Sequence, residues 1–111
     1  MIFRETDLKG AFLIDIERKE DDRGFFARTW CRIEFQEHGL KPTLAQCSIS
    51  YNEKRGTLRG MHFQLKPFEE SKLVRCTAGS LYDVIIDLRP DSPTFKKHAG
   101  LVLSAKNRTM V

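Results

Sequence analysis

Apolar and polar residues alternate over short stretches along most of this chain. Leu44–Asn52 alternates most cleanly, with one apolar and one polar side on an extended backbone. The apolar side consists of Cys47, Ile49 and Tyr51, and the polar side of Gln46, Ser48, Ser50 and Asn52. The polar side either faces solvent, as in an ordinary half-buried strand, or lines a wet ligand cavity inside a barrel.

Further segments rich in β-forming residues recur at short intervals, separated by Gly, Pro and Ser. They are Ala11–Glu17, Thr57–Leu65, Lys72–Ala78, Leu81–Arg89 and Ala99–Ala105. One helix is predicted from about Trp30 to His38, with Thr29 capping its start and Gly39 following its end. Many short strands with a single helix predict an all-β, antiparallel sandwich or barrel.

Length and composition fit one soluble domain covering residues 1–111. No apolar run is long enough to span a bilayer, and no signal peptide is recognisable. The net charge of +4 is scattered, and it suits an acidic small ligand as well as nucleic acid. The cysteines Cys31, Cys47 and Cys76 lack the spacing of zinc or redox motifs, so we interpret them as buried or idle thiols in a reducing cytosol.

The segment "RGTLRGMHFQ" carries the candidate chemistry, because His62 lies there among potential anion ligands. One histidine is too few for a metal site, but it suits a base beside an anionic ligand. Arg59 presents a planar fork for phosphate, Gly60 permits close approach, and Lys72 adds a cation one strand later. Because Arg59 and His62 differ by an odd number of positions, they reach one site only if Gly60 marks a bulge or Arg59 sits at the mouth of the strand. The alternative is an ordinary strand histidine.

Acidic residues inside the apolar strand "DVIIDLR" require partners. Asp83 is a candidate for orienting His62 or holding Lys72. Asp87 is expected to pair with Arg75 or Arg89.

The segment "DDRGFF" is predicted to be a turn that leads into an aromatic strand. Either Phe25 or Phe26 packs in the core, or Arg23 contacts a phosphate while a phenylalanine stacks on a flat base.

Taken in order, "DDRGFF", "QCSISYN", "GTLRGMHFQ", "KLVRCTAGSLYDVIIDLRPDSPTF" and "LSAKNRTM" resemble the dTDP-4-dehydrorhamnose 3,5-epimerases. The resemblance runs from about Asp21 to the last residue. It implies an antiparallel double-stranded β-helix, the cupin-like jelly roll, with one short helix and incomplete at its C-terminus. The chain would correspond to the N-terminal portion of that fold.

The resemblance also implies roles for particular residues. His62 matches the catalytic base, and Lys72 the lysine that stabilises an enolate-like intermediate. The substrate-binding set consists of Arg23, Phe26, Arg28, Gln46, Ser48 and Arg59, with Arg23 and Arg59 on the nucleotide diphosphate. The substrate implied is dTDP-4-dehydro-6-deoxyglucose, inverted at C3 and C5 in dTDP-L-rhamnose-type sugar biosynthesis.

Family members are cytoplasmic homodimers that exchange N-terminal strands and need no metal or organic cofactor. Neither nucleic acid nor a membrane is an expected partner.

This sequence departs from the family pattern in three places. Ser48 stands where asparagine is usual, and Arg28 stands near a usual glutamate. After "NRTMV" the family continues with a "PxGFAHGF"-like segment, a general-acid tyrosine and the acid that pairs with the histidine. Neither Tyr51 nor Tyr82 matches that tyrosine by motif.

Two other functions are compatible with these residues. One is a catalytically silent module that binds nucleotide sugars. The other is a small basic β-barrel that binds single-stranded nucleic acid, which would display aromatic side chains beside Arg and Lys. Burial of Phe25, Phe26 and Phe63 would exclude the second.

Overall fold

A computed structural model describes residues 1–111 and contains six strands and one short helix. The elements are β1 (Ile2–Glu5), β2 (Phe12–Asp15), β3 (Arg18–Asp21), β4 (Gly24–Ala27), α1 (Arg32–Glu37), β5 (Ser80–Ile86) and β6 (His98–Ser104). They pair as three separate two-stranded antiparallel sheets, β1 with β2, β3 with β4, and β5 with β6. The prediction of a mostly β, antiparallel chain with one helix is confirmed, and the sheets do not close into a barrel.

The core forms where the two ends of the chain meet. Ile14 on β2, Phe35 on α1 and Met110 are buried against one another. Ile14 and Met110 exchange both backbone hydrogen bonds, at 2.8 and 2.9 Å. Met110 also forms an antiparallel bridge with Arg75. The last residues therefore lie between β2 and the stretch around residue 75.

Helix α1 begins later than predicted. Its N-cap is Cys31, which has an extended backbone and makes no side-chain capping bond, so the assignment of Thr29 as the cap is wrong. Ion pairs anchor the first turn instead, because Glu34 accepts hydrogen bonds from the Met1 ammonium at 2.6 Å and from Arg28 at 2.8 Å. These two cations lower the pKa of Glu34 to about 2.

The end of α1 follows the sequence prediction. Gly39 has φ of +70°, a left-handed conformation that glycine adopts without steric cost. Its N–H donates to the Gln36 carbonyl, and the Leu40 N–H donates to the Phe35 carbonyl. This pair of bonds is the Schellman arrangement, and it satisfies carbonyls that the helix itself leaves free.

Strands β5 and β6 form the longest hairpin, with Leu81 opposite Leu103 and Tyr82 opposite Val102. Leu103 is fully buried, whereas Tyr82 and Val102 are exposed on the other face. A Cβ at residue 100 would lie 1.9 Å from the Tyr82 hydroxyl oxygen, so the Tyr82 ring occupies space that only a glycine leaves open. Both segments were predicted as strands, and both are confirmed.

A buried carboxylate organises the loop between these strands. Asp87 accepts hydrogen bonds from the Arg89 Nε and Nη2 at 2.8 Å and from the Thr94 hydroxyl at 2.7 Å. The Ser92 hydroxyl also donates to it. The predicted pairing of Asp87 with Arg89 is confirmed, and these donors hold the pKa of Asp87 well below its usual range.

The segment 41–73 departs most from the sequence prediction. The strands predicted at Leu44–Asn52 and Thr57–Leu65 are absent, and Lys72–Ala78 is reduced to the bridge at Arg75. The only backbone–backbone hydrogen bond within 41–73 runs from the Phe68 N–H to the Leu65 carbonyl. Alternation predicts which side chains share a face, but a strand forms only when a neighbouring backbone supplies hydrogen bonds.

The exposed area of the molecule reflects this unpaired segment. The accessible surface is 9367 Å², whereas a folded monomer of this mass exposes about 6,300 Å². Apolar side chains such as Ile49, Leu58 and Leu65 contribute to the excess, since each is mostly exposed. No helix in the structure has the length and apolar character needed to cross a membrane.

Candidate active site

The tip of the β3–β4 hairpin presents Arg23. A two-residue loop connects Asp21 to Gly24, which are opposite one another in the register. The Asp21 carboxylate accepts hydrogen bonds from the Arg23 backbone N–H at 2.9 Å and from its Nη2 at 2.6 Å. The Arg23 side chain is 90% exposed. The Asp21 carboxylate therefore occupies one edge of the Arg23 guanidinium, and the rest of this group is open to solvent.

Phe26 and Arg28 follow on β4 and just beyond it. Phe26 is 76% exposed, so the alternative that places it in the core is wrong. Phe25 on the opposite face is also partly exposed. The Arg28 Nη1 donates to Glu34 at 2.8 Å, so this residue is held against the start of α1.

Arg59 connects two parts of segment 41–73. Its Nε donates to the Asn52 side-chain oxygen at 2.6 Å, and its Nη2 donates to the Tyr51 carbonyl at 3.1 Å. Gln46 and Ser48 lie on the same stretch as Asn52, and both are exposed. The guanidinium of Arg59 is thus oriented by the polar residue at the end of the "QCSISYN" stretch.

His62 and Lys72 are both accessible. His62 is exposed, and its ring lies over Gly60, whose φ is +116°. The backbone therefore leaves the extended conformation between Arg59 and His62, and the alternation of a regular strand does not apply there. Lys72 forms an ion pair with Glu70 at 3.0 Å.

Asp83 lies on β5 opposite Leu101, and its side chain forms no hydrogen bond or ion pair in the structure. Burial raises the pKa of its carboxyl group. Its predicted contact with His62 or Lys72 is not made in this structure.

The predicted site residues are held by local partners and not by each other. No hydrogen bond or ion pair joins any two of His62, Lys72, Arg23, Phe26, Arg28, Gln46, Ser48 and Arg59. No group of three or more His, Cys, Asp or Glu side chains is arranged to hold a metal ion. The structure therefore supplies separate, accessible contacts, four of them cationic, in place of a closed pocket.

Sequence reasoning missed the residues that hold these cations. Asp21 precedes Arg23 by two positions, and Glu70 precedes Lys72 by two. The same spacing joins Asp87 to Arg89, a pair that the sequence did predict, so it was a usable signal. The contact between Asn52 and Arg59 could not be predicted from spacing, since Asn52 lies seven residues before Arg59.

Comparison with known proteins identifies the family of the chain. A sequence profile described as dTDP-4-dehydrorhamnose 3,5-epimerase matches residues 5–111. The chain belongs to the dTDP-4-dehydrorhamnose 3,5-epimerase family. The family resemblance inferred from the motifs is thereby confirmed, and the match contains every predicted site residue.

Individual epimerases of this family are similar over nearly the whole chain. The dTDP-4-dehydrorhamnose 3,5-epimerase of Shigella flexneri is 39% identical over 105 residues, which cover 94% of this chain and 58% of that protein. The crystal structure of the enzyme from Elizabethkingia anophelis NUHP1 superposes with a TM-score of 0.94 at 38% identity, covering 99% of this chain and 60% of that one. The Bacillus anthracis Ames enzyme, crystallised with TDP and PPi bound, superposes with a TM-score of 0.91 at 39% identity, covering 98% of this chain and 62% of that one.

These superpositions confirm the cupin-like jelly-roll class of the fold. They also place segment 41–73 inside the matched backbone, since 99% of this chain is covered. The chain spans about 60% of the length of the epimerases it matches.

Proposed function

We propose that this protein acts on a dTDP-linked 4-keto sugar and inverts C3 and C5 of dTDP-4-dehydro-6-deoxyglucose. The observation that carries the proposal is the match to the epimerase family over residues 5–111, which includes His62, Lys72 and the arginines. A neighbouring structure of the family was solved with TDP and PPi bound, which supports a thymidine diphosphate as the common part of the ligand.

The reaction begins with removal of a proton from a carbon next to the ketone. The 4-keto group acidifies the C3–H and C5–H bonds, because the electron pair left behind delocalises onto the carbonyl oxygen. A neutral imidazole is a suitable base, since histidine titrates near neutral pH. In this proposal His62 takes the proton, and its exposed position leaves the ring accessible to a sugar.

The enolate formed in that step requires a nearby positive charge. Lys72 supplies it, because a fixed ammonium stabilises negative charge that develops on the carbonyl oxygen. Its present partner Glu70 is an exposed carboxylate at 3.0 Å, and exposed ion pairs are weak enough for a ligand to displace. Inversion is completed when a proton from water is added to the opposite face of the carbon and the enolate electron pair forms the new C–H bond, while His62 releases its proton to solvent.

The nucleotide is held by the arginines and the polar stretch. Arg23 and Arg59 bind the diphosphate, since the guanidinium fork matches phosphate oxygens. Phe26 stacks on the base, while Arg28, Gln46 and Ser48 add polar contacts.

We further propose that two copies assemble, so that the hairpin tip of one chain contributes Arg23 and Phe26 to the other. The exposed position of both side chains and the large accessible surface support this arrangement. Sedimentation velocity at micromolar concentration is expected to give a species near twice the 12.9 kDa chain mass. A purely monomeric species would contradict the assembly.

The function is tested by incubating the purified protein with the 4-keto sugar nucleotide in heavy water. Deuterium at C3 or C5, measured by mass spectrometry and NMR, is expected if the base is active. Exchange without net inversion would mean that deprotonation occurs but the opposite-face proton is not delivered. Tight dTDP binding with no exchange would instead identify a silent binding module.

Single-stranded nucleic acid binding is a weaker alternative. Phe25, Phe26 and Phe63 are exposed, so burial does not exclude it. The match to the epimerases over residues 5–111 favours the sugar nucleotide.

The phosphate clamp gives a separate prediction. Arg59→Ala is expected to weaken dTDP binding about tenfold, because it removes a charge-assisted contact worth about 1.5 kcal/mol. Isothermal titration calorimetry measures this directly. Arg55→Ala, which removes an exposed arginine of the same segment, serves as the charge-matched control and should leave the affinity nearly unchanged. Equal losses in both variants would mean that only net charge matters.

A further inference from the structure

The β3–β4 hairpin contacts the rest of the chain through an aromatic ring beside two arginines. The Phe25 ring lies 5.8 Å from the Arg18 guanidinium carbon and 4.8 Å from that of Arg108. Arg18 belongs to the hairpin itself, whereas Arg108 comes from the turn after β6. Both distances are within the range of cation–π attraction. Arg108 is therefore a link between the hairpin and the body of the fold.

The backbone at Arg108, beside this contact, has an unusual conformation. Its φ is +56°, in the left-handed region that side chains other than glycine rarely adopt. The turn holds it there, because the Arg108 N–H donates to the Ser104 carbonyl at 2.9 Å. Asn107 reinforces the turn by accepting from the Ser104 N–H at 2.9 Å and donating to the Val102 carbonyl at 2.8 Å. The direction of the Arg108 side chain is thus fixed by its neighbours.

The hairpin has few other supports. β3 and β4 hydrogen-bond only with each other, so no third strand fixes their orientation. A cleft of about 220 Å³ separates the hairpin from the turn, and Phe25, Cys76 and Arg108 are among the residues that line it. A two-stranded hairpin alone is marginally stable in water. Its orientation therefore depends on contacts such as that between Phe25 and Arg108.

The contact also determines which way the neighbouring side chain points. Successive residues of a strand face opposite sides, so fixing Phe25 toward Arg108 directs Phe26 away from the cleft. Arg23 lies at the tip of the same hairpin. The two residues of the hairpin that the proposed function assigns to the ligand are thus carried by an element that Arg108 anchors.

We propose that Arg108 is a positioning residue for substrate binding, which orients the β3–β4 hairpin through Phe25 and thereby presents Arg23 and Phe26 to the nucleotide. The inference rests on the proposed function for the ligand, but the anchoring itself is independent of it.

The experiment compares Arg108→Ala with Lys106→Ala, a neighbouring exposed cation in the same turn. Hydrogen–deuterium exchange of hairpin peptides covering residues 18–27 is expected to accelerate about two- to fivefold in Arg108→Ala, as loss of an exposed cation–π contact predicts. The exchange rates of β5 and β6 peptides should not change in Arg108→Ala, and the Lys106→Ala protein should exchange at the wild-type rate throughout. Phe25→Leu keeps an apolar side chain without the aromatic face, and it should reproduce the effect.

Binding of dTDP supplies a readout that a purely structural role would not change. Arg108→Ala should weaken the affinity two- to fivefold in the wild-type background and have no effect in an Arg23→Ala/Phe26→Ala background. Unchanged hairpin exchange would overturn the proposal, and so would faster exchange across every sheet. If Arg23→Ala/Phe26→Ala alone leaves dTDP binding intact while Arg108→Ala still accelerates hairpin exchange, the anchor stands and the proposed ligand contacts are wrong.

Discussion

His62→Ala is expected to lower deuterium incorporation at C3 and C5 by about 10²- to 10⁴-fold, the usual effect of removing a general base. The affinity for dTDP should change little, because the imidazole is assigned to the sugar carbon and not to the nucleotide. Heavy-water exchange followed by mass spectrometry measures the first quantity, and calorimetry the second. The exposed position of His62 makes the variant informative, since its removal leaves no cavity.

His98→Ala is the matched control for this experiment. His98 is an exposed histidine at the start of β6, where it lies opposite Ile86. The His98→Ala protein should incorporate deuterium at C3 and C5 at the wild-type rate. Loss of dTDP binding together with exchange in His62→Ala would mean that His62 supports the local structure. Equal deuterium incorporation in His62→Ala and His98→Ala would mean that His62 is not the base.

Asp87→Asn is expected to destabilise the fold strongly. The carboxylate is 1% exposed, and it receives hydrogen bonds from Arg89, Ser92 and Thr94. Arg89 also donates to the Lys9 carbonyl, so the same network connects the loop to the N-terminal turn. Breaking a buried network of this kind is among the larger effects of point substitutions, and we expect a fall of about 10 °C or more in melting temperature at pH 7.

The stabilisation that the Asp87 carboxylate provides should decrease as the pH falls. The pKa of Asp87 is lower in the folded chain than in the unfolded chain. Its charge therefore stabilises the fold above about pH 4, the ordinary range of a carboxyl group, and this contribution is lost as the pH falls further. The difference in melting temperature between wild type and Asp87→Asn should narrow from pH 7 to about pH 3.

Asp91→Asn provides the control for Asp87→Asn. Asp91 is an exposed acid in the same loop and makes no hydrogen bond or ion pair. Its loss should change the free energy of unfolding by no more than a surface substitution does, roughly 0.5 kcal/mol or less, and so shift the melting temperature by only about 2–4 °C. A gap between wild type and Asp87→Asn that stayed constant with pH would contradict the role of the charge.

The fold was partly predictable because some of its elements have partners close in sequence. The hairpin of β5 and β6 and the termination of α1 at Gly39 both follow from local patterns. The start of α1 was not predictable in the same way. Its anchor is the Met1 ammonium, which lies 33 residues from Glu34 in sequence and meets it only in the folded chain.

The candidate site was likewise only partly predictable from the sequence. Motifs identified His62, Lys72 and Arg23, and the i, i+2 spacing contained the carboxylates that hold the two cations. The contact of Arg59 with Asn52 and of Arg108 with Phe25 had no sequence signal, because each depends on the path of the chain between the two residues.

The family, the chemical types at the site and strands β5 and β6 could be read from the sequence, since motifs and alternation are properties of neighbouring residues. Strands β1 and β3 were not predicted. The tertiary structure decided which alternating segments become strands. Leu44–Asn52 alternates more cleanly than Leu81–Arg89, yet only the second has a strand opposite it. Backbone hydrogen bonds between strands require two extended segments side by side. The pattern along one segment does not reveal which other segment will lie next to it.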